Sequence, residues 1–290
     1  EWQDLSGNRS INAATVLVAL PTPLPRLLLV EYLEHDTSPP FDGDVVDMVY
    51  DAGLDALVLA GGGLFDDLVG NIDSLAGDWD DLTGPTDVTS AGSYNFGSTF
   101  TAAPGVFDIN VRRYIEAGPV VVGSLFDDRI GDIDSWPGNW DGDLVDGTDA
   151  TMYVRATLDD PTGTPTWGPW QVLTNNLIRA RGLQFKMEAV SRDPSQNIAV
   201  TSLGAVVEVQ QRAESSAQLT TTGATNVTFA QAFYETPTIG IMAPNIGSGV
   251  YYQVTNSSRT GFTITFRNSS NTVVNRDFFY TAVGYGREIT

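Results

Sequence analysis

The chain has 290 residues, 42% of them hydrophobic, which is enough for more than one packed core. It has no cysteine and a single histidine, His35, set between Glu34 and Asp36. Disulfide frameworks and thiol chemistry are thereby excluded, and histidine zinc sites and Ser-His-Asp hydrolysis are disfavoured. A formal charge of −21 repels phosphate backbones and anionic membranes, so nucleic acid is not an expected partner.

The first apolar run, Val16 to Val30, carries Pro21, Pro23, Pro25 and Arg26 and is too short to span a membrane. It reads as two strands joined by a stiff proline connector. The chain opens Glu1-Trp2-Gln3, without an initiator methionine or signal-peptide pattern, and is expected to be part of something longer. Residues 1–63 read as a β-rich connecting region in which Asp47 to Leu59 is the best helix candidate, ending at the Ala60-Gly61-Gly62-Gly63 boundary.

Next comes an internal repeat: LFDDLVGNIDSLAGDWDD (64–81) and LFDDRIGDIDSWPGNWDG (125–142) agree at 11 of 18 positions. Two copies cannot build a solenoid, so a pair of equivalent Asp-rich loops is expected. Around them, short segments alternate with period two: Ser93 to Phe100, Phe107 to Ile115, Pro119 to Val122, Thr151 to Leu158, Trp170 to Leu173, Ala180 to Val190 and Thr201 to Val209. They read as an acidic β-sandwich over 64–212. Trp167 and Trp170, in W-G-P-W, are expected to pack at a strand start. Alternation stops at QRAESSAQLTTTGAT, which gives a linker over 213–225, and resumes in a C-terminal β-domain, 226–290.

The charge is unevenly placed. Residues 42–160 hold 24 acidic residues against 4 arginines, whereas residues 161–290 hold 7 against 9 basic ones. Clustered carboxylates are hard oxygen ligands, so Asp127, Asp128, Asp132, Asp134, Asp141 and Asp143 form a candidate calcium site, although they do not fit the EF-hand spacing. The alternative is a solvated acidic loop pinned by its aromatics. In the C-terminal domain Tyr251 and Tyr252, with Asn256, Arg259 and Arg267, form a candidate receptor-binding surface, since flat rings stack on sugars while Asn and Arg fix hydroxyls. One of two adjacent strand tyrosines should point inward.

The segments V-T-F-A-Q-A-F (227–233), P-T-I-G-I (237–241), Y-Y-Q-V-T-N (251–256), T-G-F-T-I-T-F (260–266) and F-F-Y-T-A-V-G-Y-G (278–286) resemble the terminal domain of tail-tip host-specificity proteins of long-tailed bacteriophages. In that family the terminal domain is similar to H-type lectin domains. The run from Ala150 through Pro194, followed by V-T-S-L-G-A-V-V-E-V, extends the resemblance to roughly 124–286. It implies an all-β protein with a tandem antiparallel, jelly-roll-like sandwich and a small lectin-like C-terminal sandwich, assembled as a homotrimer with other tail-tip proteins at the distal end of the phage tail. It further implies a non-enzymatic adhesin that recognises a host cell-surface glycan or outer-membrane receptor. A purely structural tail-tip module and a polysaccharide-degrading tailspike are the alternatives.

Overall fold

The computed structural model describes residues 25–61, 88–102, 105–121, 147–192 and 196–289. The described chain is all-β. In order it forms β1 (Arg26–Leu33), β2 (Asp44–Val46), β3 (Met48–Asp51), β4 (Ala56–Leu59), β5 (Ala91–Asn95), β6 (Phe100–Thr101), β7 (Phe107–Val121), β8 (Thr148–Thr157) and β9 (Gln171–Val172). Then come β10 (Leu177–Ala180), β11 (Gly182–Ser191), β12 (Gln196–Ser215), β13 (Leu219–Thr220), β14 (Thr225–Thr228), β15 (Thr238–Met242), β16 (Tyr251–Ser258), β17 (Gly261–Arg267) and β18 (Asp277–Tyr285). A 3-10 turn at Glu34–Asp36 is the only helical element among the described residues. The two Asp-rich repeats, and with them all six candidate calcium ligands, lie outside these residues.

Period-two patterning explains how the strands pack. In β11, Leu183, Phe185, Met187 and Ala189 are buried while Gln184, Lys186 and Glu188 stay partly exposed. This strand is the centre of a sheet ordered β2-β5-β11-β8-β9, with β6 also on β11. Opposite it, β12 pairs antiparallel with β7 on one flank and with β1 and β4 on the other, β10 extends β7, and β3 extends β4. Phe107, Ile109, Val111, Leu203, Ala205 and Val207 from this sheet meet Tyr94, Met152, Val154, Leu183, Phe185 and Met187 from the other in one core.

A second, smaller core lies at the C-terminal end. Phe262, Ile264 and Phe266 alternate inward along β17 and pack with Phe278, Tyr280 and Ala282 of β18, with Phe229 and Phe233 closing the end. β14, β17 and β16 form a three-stranded sheet, while β18 is flanked by β15 on one side and by β12 and β13 on the other.

Two expectations are corrected. Asp47 to Leu59 is not a helix but the β3–β4 hairpin. Its D-A-G-L-D centre is turn chemistry: the Asp51 carboxylate accepts the Gly53 and Leu54 amides at 2.7 and 3.1 Å, and Asp55 takes a left-handed φ of 51°. The buried run Ala56–Leu59 then inserts beside β12. The segment expected as a linker is also largely ordered: Gln211–Ser215 are the last residues of β12 and pair with Tyr285–Thr281 of β18, and Leu219–Thr220 pair with the start of β18. Its Ser, Thr and Gln side chains follow no clean alternation, yet the backbone ladder needs none.

The 20-residue β12 thus belongs to both cores. Residues beyond β18 return to the first module, where Glu288 bridges Phe107 and the Ile289 amide donates to the Val106 carbonyl at 2.8 Å. The rings of Phe107 and Tyr234 meet edge-on at 5.2 Å, and Arg259 donates to the Glu288 carboxylate at 2.9 Å. The two modules therefore meet through a strand, a bridge, a ring pair and an ion pair.

Candidate functional site

β16 is an edge strand, and its partner β17 fixes which way each side chain points. Residues opposite each other across the ladder share a face. Tyr252 and Val254 stand opposite Phe266 and Ile264, on the core side; Tyr251, Gln253 and Thr255 stand opposite Arg267, Thr265 and Thr263, on the outer side. Tyr252 lies on the inner side as one of the two tyrosines must, but at the strand's open end, with its ring 5.8 Å from that of Phe266. Both tyrosines remain 42% exposed.

Tyr251 and Arg267 are held together by a turn. The Asn268 side-chain oxygen accepts the Ser270 and Thr272 amides at 3.0 and 2.9 Å, and Asn271 takes a left-handed φ of 62°. This orients Asn271 so that its side-chain oxygen accepts from the Tyr251 hydroxyl at 2.8 Å and its carbonyl accepts from Arg267 Nη1 at 3.0 Å. Arg267 Nε also reaches the Gln253 side-chain oxygen at 3.4 Å. The result is an exposed ring, a guanidinium and two amide side chains fixed on one face.

The other sequence candidates are placed differently. Asn256 sits at a bulge with φ 53°, farther along β16, where its amide donates to the Thr263 hydroxyl at 3.3 Å and that hydroxyl donates to Asn226 at 2.8 Å. Arg259 lies at the opposite end of the module, where it is committed to Glu288 and lies 6.0 Å from the Phe107 ring centroid. It ties the modules together and is not part of the cluster. Asn271 and Gln253 were not singled out from the sequence. The only signal for Asn271 is the N-S-S-N-T string, which marks a turn without saying what it presents.

The W-G-P-W tryptophans directly precede β9, at a strand start, and also make contacts beyond it. On the outer face of β8 and β11 they join a cation ladder: Arg155 lies 5.2 and 4.7 Å from the ring centroids of Trp167 and Trp170, and Lys186 lies 5.0 and 5.1 Å from those of Trp170 and Tyr153. Trp170 is thus engaged by two of the protein's own cations, which leaves it poorly suited to stack on a sugar.

Among the described residues one carboxyl is displaced upward from its ordinary pKa. Glu34 is raised chiefly by burial, with Asp42 adding repulsion and the Tyr94 hydroxyl, 2.5 Å away, opposing the shift. A raised carboxyl is a general-acid signature when it lines a cleft. Glu34 is only 4% exposed and serves the interior. Among the described residues no group of three or more His, Cys, Asp or Glu side chains is arranged to hold a metal ion.

No protein-family model, curated protein or solved structure matches this chain.

Proposed function

We propose that this chain belongs to a bacteriophage tail-tip or tail-fibre protein that recognises the host surface without catalysis. The observation that carries this reading is the preorganised Tyr251–Asn271–Arg267 cluster on an exposed edge of the terminal module. It joins an aromatic face to fixed donors, the combination that saccharide recognition needs. The motif resemblance supplies the biological setting: a host glycan or outer-membrane receptor, a jelly-roll-like sandwich followed by a lectin-like terminal domain, and a virion location at the distal tail among other tail-tip proteins.

Assembly as a homotrimer fits the same reading. The outer face of β15 and β18 exposes Met242 and Val283, at 61% and 37%, and holds a shallow cavity of about 310 Å³ lined by Gly240, Ile241, Met242, Phe279, Tyr280 and Thr281. An apolar strip on so small a module suits burial by a neighbouring subunit. The same strip also favours the rival reading, a structural tip module whose receptor is met by another protein.

Fluorescently labelled full-length chain, applied to a panel of bacterial strains, separates the two. The adhesin reading expects staining of a subset of strains, loss of staining on Tyr251→Ala, and competition with phage adsorption. Uniform absence of staining, with a stable trimer by light scattering, would leave the structural module.

A further inference from the structure

Apart from Arg287, which donates to the Gln231 side chain, the arginines of the terminal module fall into two groups. Towards the first module, Arg212 is paired with Glu214 and Arg259 with Glu288. At the far end, Arg267 and Arg276 have no carboxylate partner among the described residues. Both are oriented by backbone carbonyls: Arg267 Nη1 by Asn271 at 3.0 Å, Arg276 Nε and Nη1 by Ile246 and Asn275 at 3.1 and 2.8 Å. Neither Nη2 has a hydrogen-bond partner among the described residues. No other arginine there combines backbone-carbonyl anchors with the absence of a carboxylate.

Carbonyl anchors fix a guanidinium without neutralising it. Elsewhere in this acidic protein carboxylates are abundant and four arginines of the first module use them: Arg26 and Arg112 share Glu208, Arg179 meets Asp108, and Arg181 meets Asp160. Arg276 and the turn that anchors Arg267 both border the loop between β15 and β16. A Cβ built on Gly247 would lie 3.7 Å from Arg276 Nη2, and one on Gly249 would lie 3.3 Å from the Ser269 Cβ, in the turn that carries Asn271. Two charged, oriented guanidiniums, each with an Nη2 still open and no carboxylate partner, are suited to the oxygens of an oxyanion.

We infer that this end of the terminal module binds a saccharide bearing an oxyanion, with Arg267 and Arg276 engaging the charged group and Tyr251 lying against the ring. The inference rests on the adhesin reading and names its ligand class. A carboxylate on a uronic acid and a phosphate on a phosphorylated sugar share the recognised chemistry.

The test is calorimetric titration of the full chain with three probes: a galacturonic acid oligomer, a phosphorylated mannose oligomer and a neutral galactose oligomer. Binding of one or both acidic probes is expected, weakened by added salt and reduced at least about tenfold by Arg267→Gln or Arg276→Gln. Arg113→Gln, on the first module, should change nothing, and circular dichroism should show all variants folded. The acidic probe that binds identifies the source of the oxyanion. Binding of the neutral probe with equal strength, unchanged in both variants, overturns the inference and leaves the adhesin reading intact. If no probe binds while the chain stains cells, the inference fails alone; if staining also fails, both fall.

Discussion

Glu214 offers the sharpest test of how the two modules are joined. It lies in the part of β12 that pairs with β18, and its carboxylate accepts from the Ala230 amide at 2.9 Å, the Tyr280 hydroxyl at 2.9 Å and Arg212 Nη1 at 3.2 Å. The Glu214 and Arg212 side chains are only 15% and 20% exposed, and burial together with the Glu214 bond pushes the Tyr280 hydroxyl up to about 12. Glu214→Ala removes three bonds to one charged acceptor and leaves Arg212 with the Gly286 and Gln231 carbonyls and the Phe233 ring beneath it. Bonds to charged groups contribute about 1.5–3 kcal/mol, and breaking a buried pair costs about 3–5 kcal/mol. Water can reach a site with this much exposure and solvate some of the orphaned donors, which favours the low end, about 3 kcal/mol. Glu214→Gln keeps an acceptor for Tyr280 and should cost about half as much. If the continuous β12 makes the two modules unfold together, calorimetry will show one transition, shifted down by about 6–12 °C in Glu214→Ala. If they unfold separately, only one of two transitions will move, and by roughly twice as much because the unit is smaller. A loss below about 1 kcal/mol, or no coupling in a double-mutant cycle with Arg212→Ala, would refute the view that this cluster secures the junction.

Glu34 should give the molecule a stability term that depends on pH. Because its folded-state pKa is raised, the contribution is fully present below the ordinary glutamate value and is lost as pH rises through the raised one. Glu34→Gln should therefore match the parent at acidic pH and exceed its melting temperature near neutrality; a difference independent of pH would refute the assignment. Gly261→Ala should destabilise the terminal module by about 1–3 kcal/mol in urea, since the new Cβ would sit 2.1 Å from the Val227 carbonyl oxygen, a backbone atom held in the β14–β17 ladder. If the Asp-rich repeats bind calcium, chelator should lower the melting temperature and Asp132→Asn with Asp134→Asn should abolish the response; a melting curve unchanged by chelator would support the solvated-loop alternative.

What the sequence made legible was alternation. Phe262, Ile264 and Phe266 announce β17, and Leu183, Phe185 and Met187 announce β11, because one buried face imposes period two. It was less able to show where strands continue without that signal. β12 runs through Gln211–Ser215 because its partner β18 supplies the ladder, and backbone pairing leaves no trace in side-chain chemistry. The reverse occurs at Phe229 and Phe233: both are buried, as the alternating run implied, yet they follow β14 as anchors outside any strand. The Asp47 to Leu59 segment is ambiguous in sequence because an apolar run of four residues fits a buried strand or a helix equally, and the turn at Asp51 decides between them. Among the site candidates, Tyr251 and Arg267 are joined through Asn271, whereas Arg259, close to Tyr251 in sequence, lies at the other end of a strand pair. Sequence proximity placed all of them together; the antiparallel register separated them.

That separation bears on how the molecule would approach a surface. Residues 42–160 carry 24 acidic side chains against 4 arginines, a field that resists contact with an anionic layer, while Arg267 and Arg276, at the far end of the other module, have no carboxylate partner among the described residues. On the adhesin reading, repulsion of the acidic segment and attraction of these arginines would favour encounters in which the distal loops arrive first. The β12 ladder and the Arg259–Glu288 pair give this orientation a mechanical meaning, because a module joined by a shared strand cannot swivel independently as one on a flexible linker would. A load applied at the distal loops would pass through β17 and β18 into β12, and from there into β7 and the larger core. On the adhesin reading, the junction is therefore as much a part of attachment as the residues proposed to touch the ligand. A variant with an intact Tyr251–Asn271–Arg267 cluster and a broken Glu214 network should bind a free saccharide normally and hold a surface poorly under flow.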